Sequence, residues 1–306
     1  MKNLIKKLVF SNKIPKTMDK TFLVKDKKAL ISNLEENIVI HKVFGLQDGV
    51  YTALFNKTIY KTTDYAMLPD EEGKKLALVM NARNFVLHLE EIHKFLASKI
   101  KGDPFYLNYE TIYFDAEMGV TVASDGHSLR ILPLENLEDS FYLQKMNLKK
   151  LKYLINYFKT EMVRVYKSKR YIIIDAINFT YYIRNSALAR YPDYKVFIPD
   201  SQELKIEIPD FKGLKKELKE FKKYSKKEDI VIDLDNKVIE VQEEELRYER
   251  TFPIMVEEGI FKLNKRNTGK ILTTAIDSTI ELDIKHLLLF NSSILYTSKG
   301  QDSIFI

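Results

Sequence analysis

The chain has 306 residues, of which 45% are hydrophobic and 30% charged, and it contains ten glycines and no cysteine. This composition indicates a globular protein of two or three domains and excludes a disordered or low-complexity chain. The lack of cysteine excludes disulfides, thiolate metal sites and a cysteine nucleophile. The net charge of +6 suits a polyanionic partner, although a lysine-rich composition alone would give the same sum.

The apolar segments are short. The run Leu287–Phe290 is far below the ~18 residues that span a bilayer. Near the N-terminus, Lys6 and Lys7 interrupt the apolar stretch, whereas a signal peptide needs ~7–15 uninterrupted apolar residues. We therefore expect a soluble, cytoplasmic protein.

Helical patterns recur along the chain with a regular spacing. From the second segment onward the predicted helices start 66, 64 and 69 residues apart. The predicted helices are Asn3–Phe10, Asn81–Leu96, Asn147–Phe158, Phe211–Tyr224 and Ile280–Phe290.

Alternating segments rich in β-branched and aromatic residues lie between these helices. Asp229–Leu234 and Lys237–Val241 flank Asp235 and Asn236, which predicts a two-residue hairpin. The other predicted strands are Tyr171–Asp175, Phe179–Arg184, Ile294–Thr297 and Ser303–Ile306.

The repeating unit is therefore one helix with about four antiparallel strands, ~60–65 residues long. One such unit cannot enclose a core, so two units should pack together as an α+β domain. Polar stretches near Asp70–Lys75 and Asp200–Glu203 place the domains at 1–75, 76–200 and 201–306. The first domain is short and lacks one helix of the pattern.

The predicted helix Phe211–Tyr224 separates apolar and basic residues. Its apolar positions form one stripe, Phe211, Leu214, Leu218 and Phe221. Its lysines follow another, Lys212, Lys215, Lys216, Lys219, Lys222 and Lys223. Like charges on one stripe repel unless an anion neutralises them, so we expect contact with nucleic-acid phosphates; the alternative is an ordinary solvated face. The third predicted helix repeats the pattern weakly with Lys149, Lys150 and Lys152.

No motif in the sequence indicates catalysis. There is no phosphate-binding Gly-x-x-x-x-Gly-Lys-Ser/Thr loop, and His88 and His93 lack metal-ligand spacing. Asp125-Gly126-His127 has no nucleophile motif to accompany it, so we interpret it as a turn with His127 lining a groove. We expect no enzyme activity, no cofactor and no metal.

Two segments carry a family resemblance. Val122–Arg130, with the sequence VASDGHSLR, resembles the Ala-Thr-Asp-Gly-His-Arg-Leu motif of bacterial sliding clamps, the beta subunits of the replicative DNA polymerase. Tyr191–Pro199, with the sequence YPDYKVFIP, is similar to the Phe-Pro-Asp-Tyr segment that closes the same domain. A weaker likeness extends to Phe22–Val24 and Lys28–Glu35.

The resemblance implies a ring whose helices face double-stranded DNA and whose sheets form the outer wall. It places Phe105 and Tyr106 in a loop near the duplex, beside the lysines already named. It also implies a groove for short peptides of the polymerase and clamp loader. The groove residues would be Ser124, Gly126, His127, Leu129, Pro192, Phe197, Ile304, Phe305 and Ile306.

The sequence departs from the family in three places. Ser128 stands where family members carry arginine, the last strand is Asp302–Ile306 instead of a Met-Pro-Met-Arg-Leu type, and the first domain is reduced. Forty of the 49 basic residues are lysine, which suggests an AT-rich genome and a phage-encoded or divergent clamp.

Two questions stay open at this level. Ring closure by a head-to-tail dimer is favoured, with Thr58–Thr62 pairing with the third domain's edge, and a trimer is the alternative. A basic nucleic-acid-binding or virion structural protein without sliding activity is the alternative function.

Overall fold

The structure is a computed structural model of the chain. It describes residues 1–11, 21–32, 36–54, 56, 69–97, 108–185, 191–243 and 248–306. The strand predicted at Thr58–Thr62 and the aromatic pair Phe105 and Tyr106 lie outside the described residues.

The chain divides into two compact units. The first contains Met1–Glu91, Tyr113–Gly119 and Glu135–Ala189, and the second contains Ile92–Ile112, Val120–Leu134 and Arg190–Ile306. The division into three domains at 1–75, 76–200 and 201–306 stays a prediction.

Among the described residues, both ends are defined for five α-helices and two short 3-10 helices. The α-helices are α1 (Lys2–Ser11), α2 (Ala82–Ile92), α3 (Lys145–Phe158), α4 (Phe211–Tyr224) and α5 (Ile284–Leu289). The 3-10 helices are His93–Phe95 and Tyr194–Phe197. None of the described helices has the length and hydropathy that a bilayer span requires.

Strands make up most of the remaining regular structure. In the first half of the chain they are β1 (Thr21–Lys25), β2 (Lys28–Ser32), β3 (Glu36–Ile40), β4 (Gly49–Thr52), β5 (Lys75–Asn81), β6 (Thr111–Asp115), β7 (Val120–Ser124), β8 (Ser128–Pro133) and β9 (Phe141–Gln144). The others are β10 (Met162–Lys167), β11 (Tyr171–Ala176), β12 (Phe179–Arg184), β13 (Ser201–Glu207), β14 (Asp229–Asp233), β15 (Val238–Glu243), β16 (Tyr248–Pro253), β17 (Met255–Lys262), β18 (Gly269–Leu272), β19 (Thr274–Ile276), β20 (Thr279–Asp283), β21 (Ile294–Thr297) and β22 (Ser303–Phe305).

The first unit is built on an eight-stranded antiparallel sheet with the order β4-β1-β2-β3-β12-β11-β10-β5. The pairing of β3 with β12 joins the N-terminal strands to the later ones, with Ile38 opposite Tyr181. Leu4, Ile5 and Leu8 of α1 are fully buried, so this helix contributes its apolar face to the core of the unit.

The second unit contains two antiparallel arrays of strands. One runs in the order β17-β13-β21-β22-β18-β8-β7, and the other is a five-stranded sheet with the order β16-β15-β14-β20-β19. Together with the few helices, this confirms the predicted α+β class with antiparallel sheets.

Two predicted elements differ from the structure. Ile280 belongs to β20 and not to the last helix, because Ile280 and Leu282 are buried alternately in a strand that pairs with β14. The helix starts only after Asp283, whose carboxylate caps it by accepting a hydrogen bond from the His286 backbone amide. The β14–β15 ladder ends at Asp233 and Val238, so the loop between them is longer than the predicted two residues.

Candidate nucleic-acid interface and partner groove

Helix α4 forms where the sequence predicts it, for local reasons. The Asp210 side chain caps its first turn by accepting a hydrogen bond from the Gly213 amide at 2.9 Å. The apolar stripe Phe211, Leu214, Leu218 and Phe221 is buried. The opposite side of the helix is therefore free to carry charge.

The six lysines of α4 divide into two rows that differ in exposure. Those of one row, here called the exposed lysine row, are Lys212, Lys216, Lys219 and Lys223. At ~100° per residue they cover a sector of only about 60°. Lys215 and Lys222 flank the buried stripe and are half-buried.

Lys215 has a structural contact that the sequence did not reveal. Its ammonium donates hydrogen bonds to the Phe290 carbonyl at 2.6 Å and to Asn291 Oδ1 at 2.9 Å, just after the end of α5. Burial lowers the pKa of Lys215, and the charges of Lys219 and Lys94 lower it further. Lys215 therefore stabilises the packing of α4 on α5.

The exposed lysine row carries uncompensated charge at its centre. Lys223 pairs with Glu220 at 2.7 Å on the same helix, and this hydrogen bond raises its pKa. Lys222 lies 4.0 Å from Glu228. Within the described part of the chain, Lys216 and Lys219 form no ion pair. These two are the lysines of α4 best placed to meet an external anion.

The predicted lysines of α3 have different environments. Lys149 is exposed and forms no ion pair with any described residue. Lys152 is half exposed and pairs with Glu90 of α2. Lys150 is mostly buried and pairs with the buried carboxylate of Glu36. Because its charge is already neutralised inside the protein, we leave Lys150 out of the proposed DNA surface.

The Asp125-Gly126-His127 segment forms a tight turn between β7 and β8. Asp125 Oδ1 accepts hydrogen bonds from the amides of His127 and Ser128 and from the Ser128 hydroxyl. Gly126 has φ +93°, a conformation that favours glycine. Ser128, which stands where the resembled family has arginine, is buried inside this turn.

Asp125 is also half of a buried ion pair that the sequence did not predict. Its Oδ2 lies 3.0 Å from Nε2 of His286, and Asp283 lies 3.3 Å from the other ring nitrogen. Burial opposes the charged form of His286, but the hydrogen bonds to both carboxylates outweigh it and raise its pKa to about 9. The same contact holds the pKa of Asp125 well below its usual range. Asp125 is thus an anchor between the turn and α5.

The predicted groove residues of the last strand point to two different sides of the sheet. Ile304 lies opposite Ile271 and is fully buried; Ile306 exchanges backbone hydrogen bonds with Gly269, on the same side. That side is tightly packed, because a Cβ built on Gly269 would lie 1.9 Å from the ring of Phe290. Ile304 therefore belongs to the core.

Phe305 lies on the other side, where it is likewise fully buried, in a row that crosses four strands. Register places Leu129 opposite Lys270, Lys270 opposite Phe305, and Phe305 opposite Tyr296. The Lys270 ammonium lies 5.4 Å from the ring centre of Phe197 and 5.8 Å from that of Phe305. We call Phe197, Lys270 and Phe305 the aromatic–lysine cluster.

The other predicted groove residues lie at the turn between β7 and β8 and around the 3-10 helix Tyr194–Phe197. Phe197 ends the 3-10 helix Tyr194–Phe197, and its side chain is 50% exposed. Gly126, His127 and Pro192 are exposed, and Ser124 is half-buried. The His127 ring stacks on His286 with 5.9 Å between ring centres. Lys270 was missed at the sequence level, because a single lysine within a strand gives no signal of the aromatic rings beside it.

Comparison with known proteins gives a clear result for the fold. No protein-family model matches the chain, and no curated protein matches its sequence. Solved structures do match. The DNA polymerase III beta subunit of Thermotoga maritima superimposes with a TM-score of 0.69 at 15% identity, over 99% of this chain and 95% of that one.

The chain has the sliding-clamp fold. The beta chain of DNA polymerase III from Streptococcus pneumoniae matches with a TM-score of 0.67 at 13% identity, covering 99% and 96% of the two chains. The DNA polymerase sliding clamp of Pseudomonas aeruginosa matches with a TM-score of 0.67 at 12% identity, with the same coverage. The predicted fold class, a few helices with antiparallel sheets as in sliding clamps, is confirmed by these matches.

Proposed function

We propose that the chain is a DNA sliding clamp, a non-catalytic protein that encircles duplex DNA and tethers a replicative polymerase. The observation that carries the proposal is the match to clamp structures over 99% of the chain. The exposed lysine row supports it independently, because a clamp needs a cationic surface that contacts phosphates without reading sequence.

The DNA-facing set in this proposal is narrower than the set predicted from the sequence. It contains Lys149 of α3 and the exposed lysine row of α4, with Lys152 and Lys222 at its margin. Lys150 and Lys215 are excluded because Glu36 and the Phe290 carbonyl already bind their ammonium groups. Phe105 and Tyr106 stay predictions from resemblance.

The proposed partner site is the surface around Phe197, on the side of the strand row that includes Leu129 and Phe305, both of which are themselves buried. It would hold a short extended peptide from a polymerase or clamp loader. Phe197 is the sharpest probe of this site, because its half-exposed ring can be removed without opening the core. Deleting Ile304–Ile306 is a poor probe, because β22 is an inner strand between β18 and β21.

Ring closure is part of the proposal. Head-to-tail association of two chains is favoured, with three chains as the alternative, and the reduced domain 1–75 completes each chain. The mass in solution at a concentration of tens of micromolar, measured by sedimentation, distinguishes the two. We place the protein in the cytoplasm, where bacterial or phage replication occurs.

The test of the function is retention on DNA. A clamp that has closed around a nicked circular plasmid stays bound at a salt concentration that screens phosphate contacts, and it is released when the plasmid is linearised. The alternative, a basic nucleic-acid-binding or virion protein, would dissociate from both forms at high salt. No feature of the fold favours that alternative.

A further inference from the structure

The connection between β17 and β18 concentrates positive charge on a short loop. The segment Lys262–Gly269 contains no acidic residue and three cations, here called the basic loop triad: Lys262, Lys265 and Arg266. A fourth cation reaches the same loop, because Arg130 of β8 donates a hydrogen bond to Asn267 Oδ1 at 3.0 Å. The triad belongs neither to the exposed lysine row nor to the proposed partner site.

Local hydrogen bonds hold this loop in place. Asn264 Oδ1 accepts a hydrogen bond from the Arg266 amide at 3.1 Å, and the Asn264 carbonyl accepts one from the Asn267 amide at 2.8 Å. At the start of the loop, the Leu263 amide donates to the Asp200 carbonyl at 3.0 Å. A ligand therefore meets a backbone that is already ordered, which lowers the entropic cost of binding.

The basic loop triad borders a cavity of about 480 Å³. Ile260 and Leu263 supply apolar lining, and Ser201 and Asn264 supply polar groups. Ile260 is 83% exposed, so its side chain is available to a ligand. The volume falls within the range of roughly 300–1,000 Å³ that is typical of sites for small organic molecules. The lining suits a ligand with one anionic and one less polar part.

The charge of the triad is only weakly compensated. Lys265 pairs with Asp200 at 2.6 Å, but the Asp200 side chain is 90% exposed, so solvent screens this pair. Lys262 forms no ion pair with any described residue, and it lies opposite Ser201 in the β13–β17 ladder. A phosphate monoester carries a charge of about −1.5 to −2 and accepts several charge-assisted hydrogen bonds. Such a group matches several cations around one small cavity.

We propose that the cavity at the β17–β18 connection binds a small phosphorylated ligand of nucleotide size. The basic loop triad binds the phosphate, and Ile260 and Leu263 contact the organic part of the ligand. This site is separate from the proposed partner site, because β17 is the edge strand of its sheet and β13 and β21 lie between it and β22. It does not depend on the clamp assignment.

The binding experiment uses the full chain and isothermal titration calorimetry at low ionic strength. The probes are inorganic phosphate, phenyl phosphate, and a panel of nucleoside monophosphates with the matching nucleosides. The best monophosphate should bind at least about 10-fold more tightly than its nucleoside, because only the monophosphate reaches the triad with a charge. It should also bind about 3- to 10-fold more tightly than inorganic phosphate, because its organic part covers apolar lining.

Two variants test the two parts of the site. Lys262→Gln/Arg266→Gln should weaken monophosphate binding by about 10-fold or more, since it removes two charged donors. Lys226→Gln/Lys237→Gln makes the same change in net charge at exposed positions away from the cavity and should leave the affinity within about twofold. Ile260→Ser leaves the core intact and should bring the affinity for the monophosphate down to that for inorganic phosphate.

Four results would overturn the proposal. The first is that no monophosphate binds better than its nucleoside. The second is that both double variants weaken binding equally, which would mean that only net charge matters. The third is that inorganic phosphate binds as tightly as every ester and Ile260→Ser has no effect. The fourth is that a single-stranded oligonucleotide without a terminal phosphate displaces the monophosphate at equal phosphate concentration, which would make the loop a nucleic-acid surface.

Discussion

The carboxylate of Glu36 on β3 pairs with the ammonium of Lys150 on α3, and the two side chains are only 4% and 14% exposed. Tyr181 donates a hydrogen bond to the same carboxylate at 2.6 Å, and Asn147 donates another. Burial and the Glu36 charge raise the pKa of Tyr181. This cluster ties an N-terminal strand to α3 inside the first unit.

Glu36→Gln should lower the free energy of urea unfolding by about 3–5 kcal/mol, because it leaves the buried ammonium of Lys150 without its countercharge. Glu72→Gln is the matched control. Glu72 pairs with Lys169 on the surface, with side chains 62% and 70% exposed, so its removal should cost less than about 1 kcal/mol. Equal effects of the two substitutions would contradict the buried-pair assignment.

The pair of His286 and Asp125 makes stability depend on pH in the alkaline range. The pKa of His286 is raised from 6.5 to about 9 in the folded protein, so its contribution is complete below pH 6.5. It is lost as the pH rises through about 9. We expect urea unfolding to show about 3 kcal/mol less stability above this window than below it.

His286→Gln should remove most of this pH dependence and should destabilise the protein more at pH 6 than at pH 9.5. His127→Gln serves as the control, because the His127 ring is exposed and has no acidic partner among the described residues. A wild-type stability that is unchanged across the window would show that His286 is not held charged by Asp125 and Asp283.

Gly269 tests the packing beneath the C-terminal strand. In Gly269→Ala the new methyl group would lie 1.9 Å from the nearest atom of the Phe290 ring. That ring packs on Phe95, with 4.9 Å between the two ring centres. We expect a decrease of about 1–3 kcal/mol in unfolding free energy. The double variant Gly269→Ala/Phe290→Leu should recover part of this decrease, and no recovery would mean that the strain arises elsewhere.

The exposed lysine row predicts a change in salt dependence. Lys216→Glu/Lys219→Glu should weaken duplex binding and flatten the plot of log affinity against log salt by ~0.9 for each DNA phosphate that the variant no longer neutralises. Lys237→Glu/Lys262→Glu makes the same change in net charge at exposed positions outside the row. If both double variants weaken binding equally, the row is an ordinary solvated face and only the net charge matters.

Local signals predicted the elements that depend on neighbouring residues. The α4 helix follows from the Asp210 cap and the spacing of its apolar stripe, and both act within a few residues. The last helix was predicted too long, although Ile280-Glu281-Leu282-Asp283 alternates apolar and acidic residues with the period of a strand. The pairing of Ile280 with Ile232 of β14 confirms that this run is a strand.

Contacts between distant residues explain what the sequence could not show about the site. Lys150 is adjacent to Lys149 in the sequence, yet Glu36, 114 residues away, binds it inside the protein. The position of Lys270 near two rings likewise depends on β18 lying beside β22 and on the 3-10 helix that carries Phe197. The apolar strand β22 allowed a core strand or an exposed patch, and the structure buries Ile304 and Phe305 on its two opposite sides.

Retention on circular DNA tests the central claim most directly. The chain is incubated at high concentration with a nicked plasmid, and the complex is isolated by gel filtration at high salt. The plasmid in half of the isolated complex is then linearised. A sliding clamp should remain with the circular plasmid and leave the linear one, and Lys216→Glu/Lys219→Glu should reduce loading. Equal dissociation from both forms, by a chain that still binds duplex DNA at low salt, would contradict the clamp assignment.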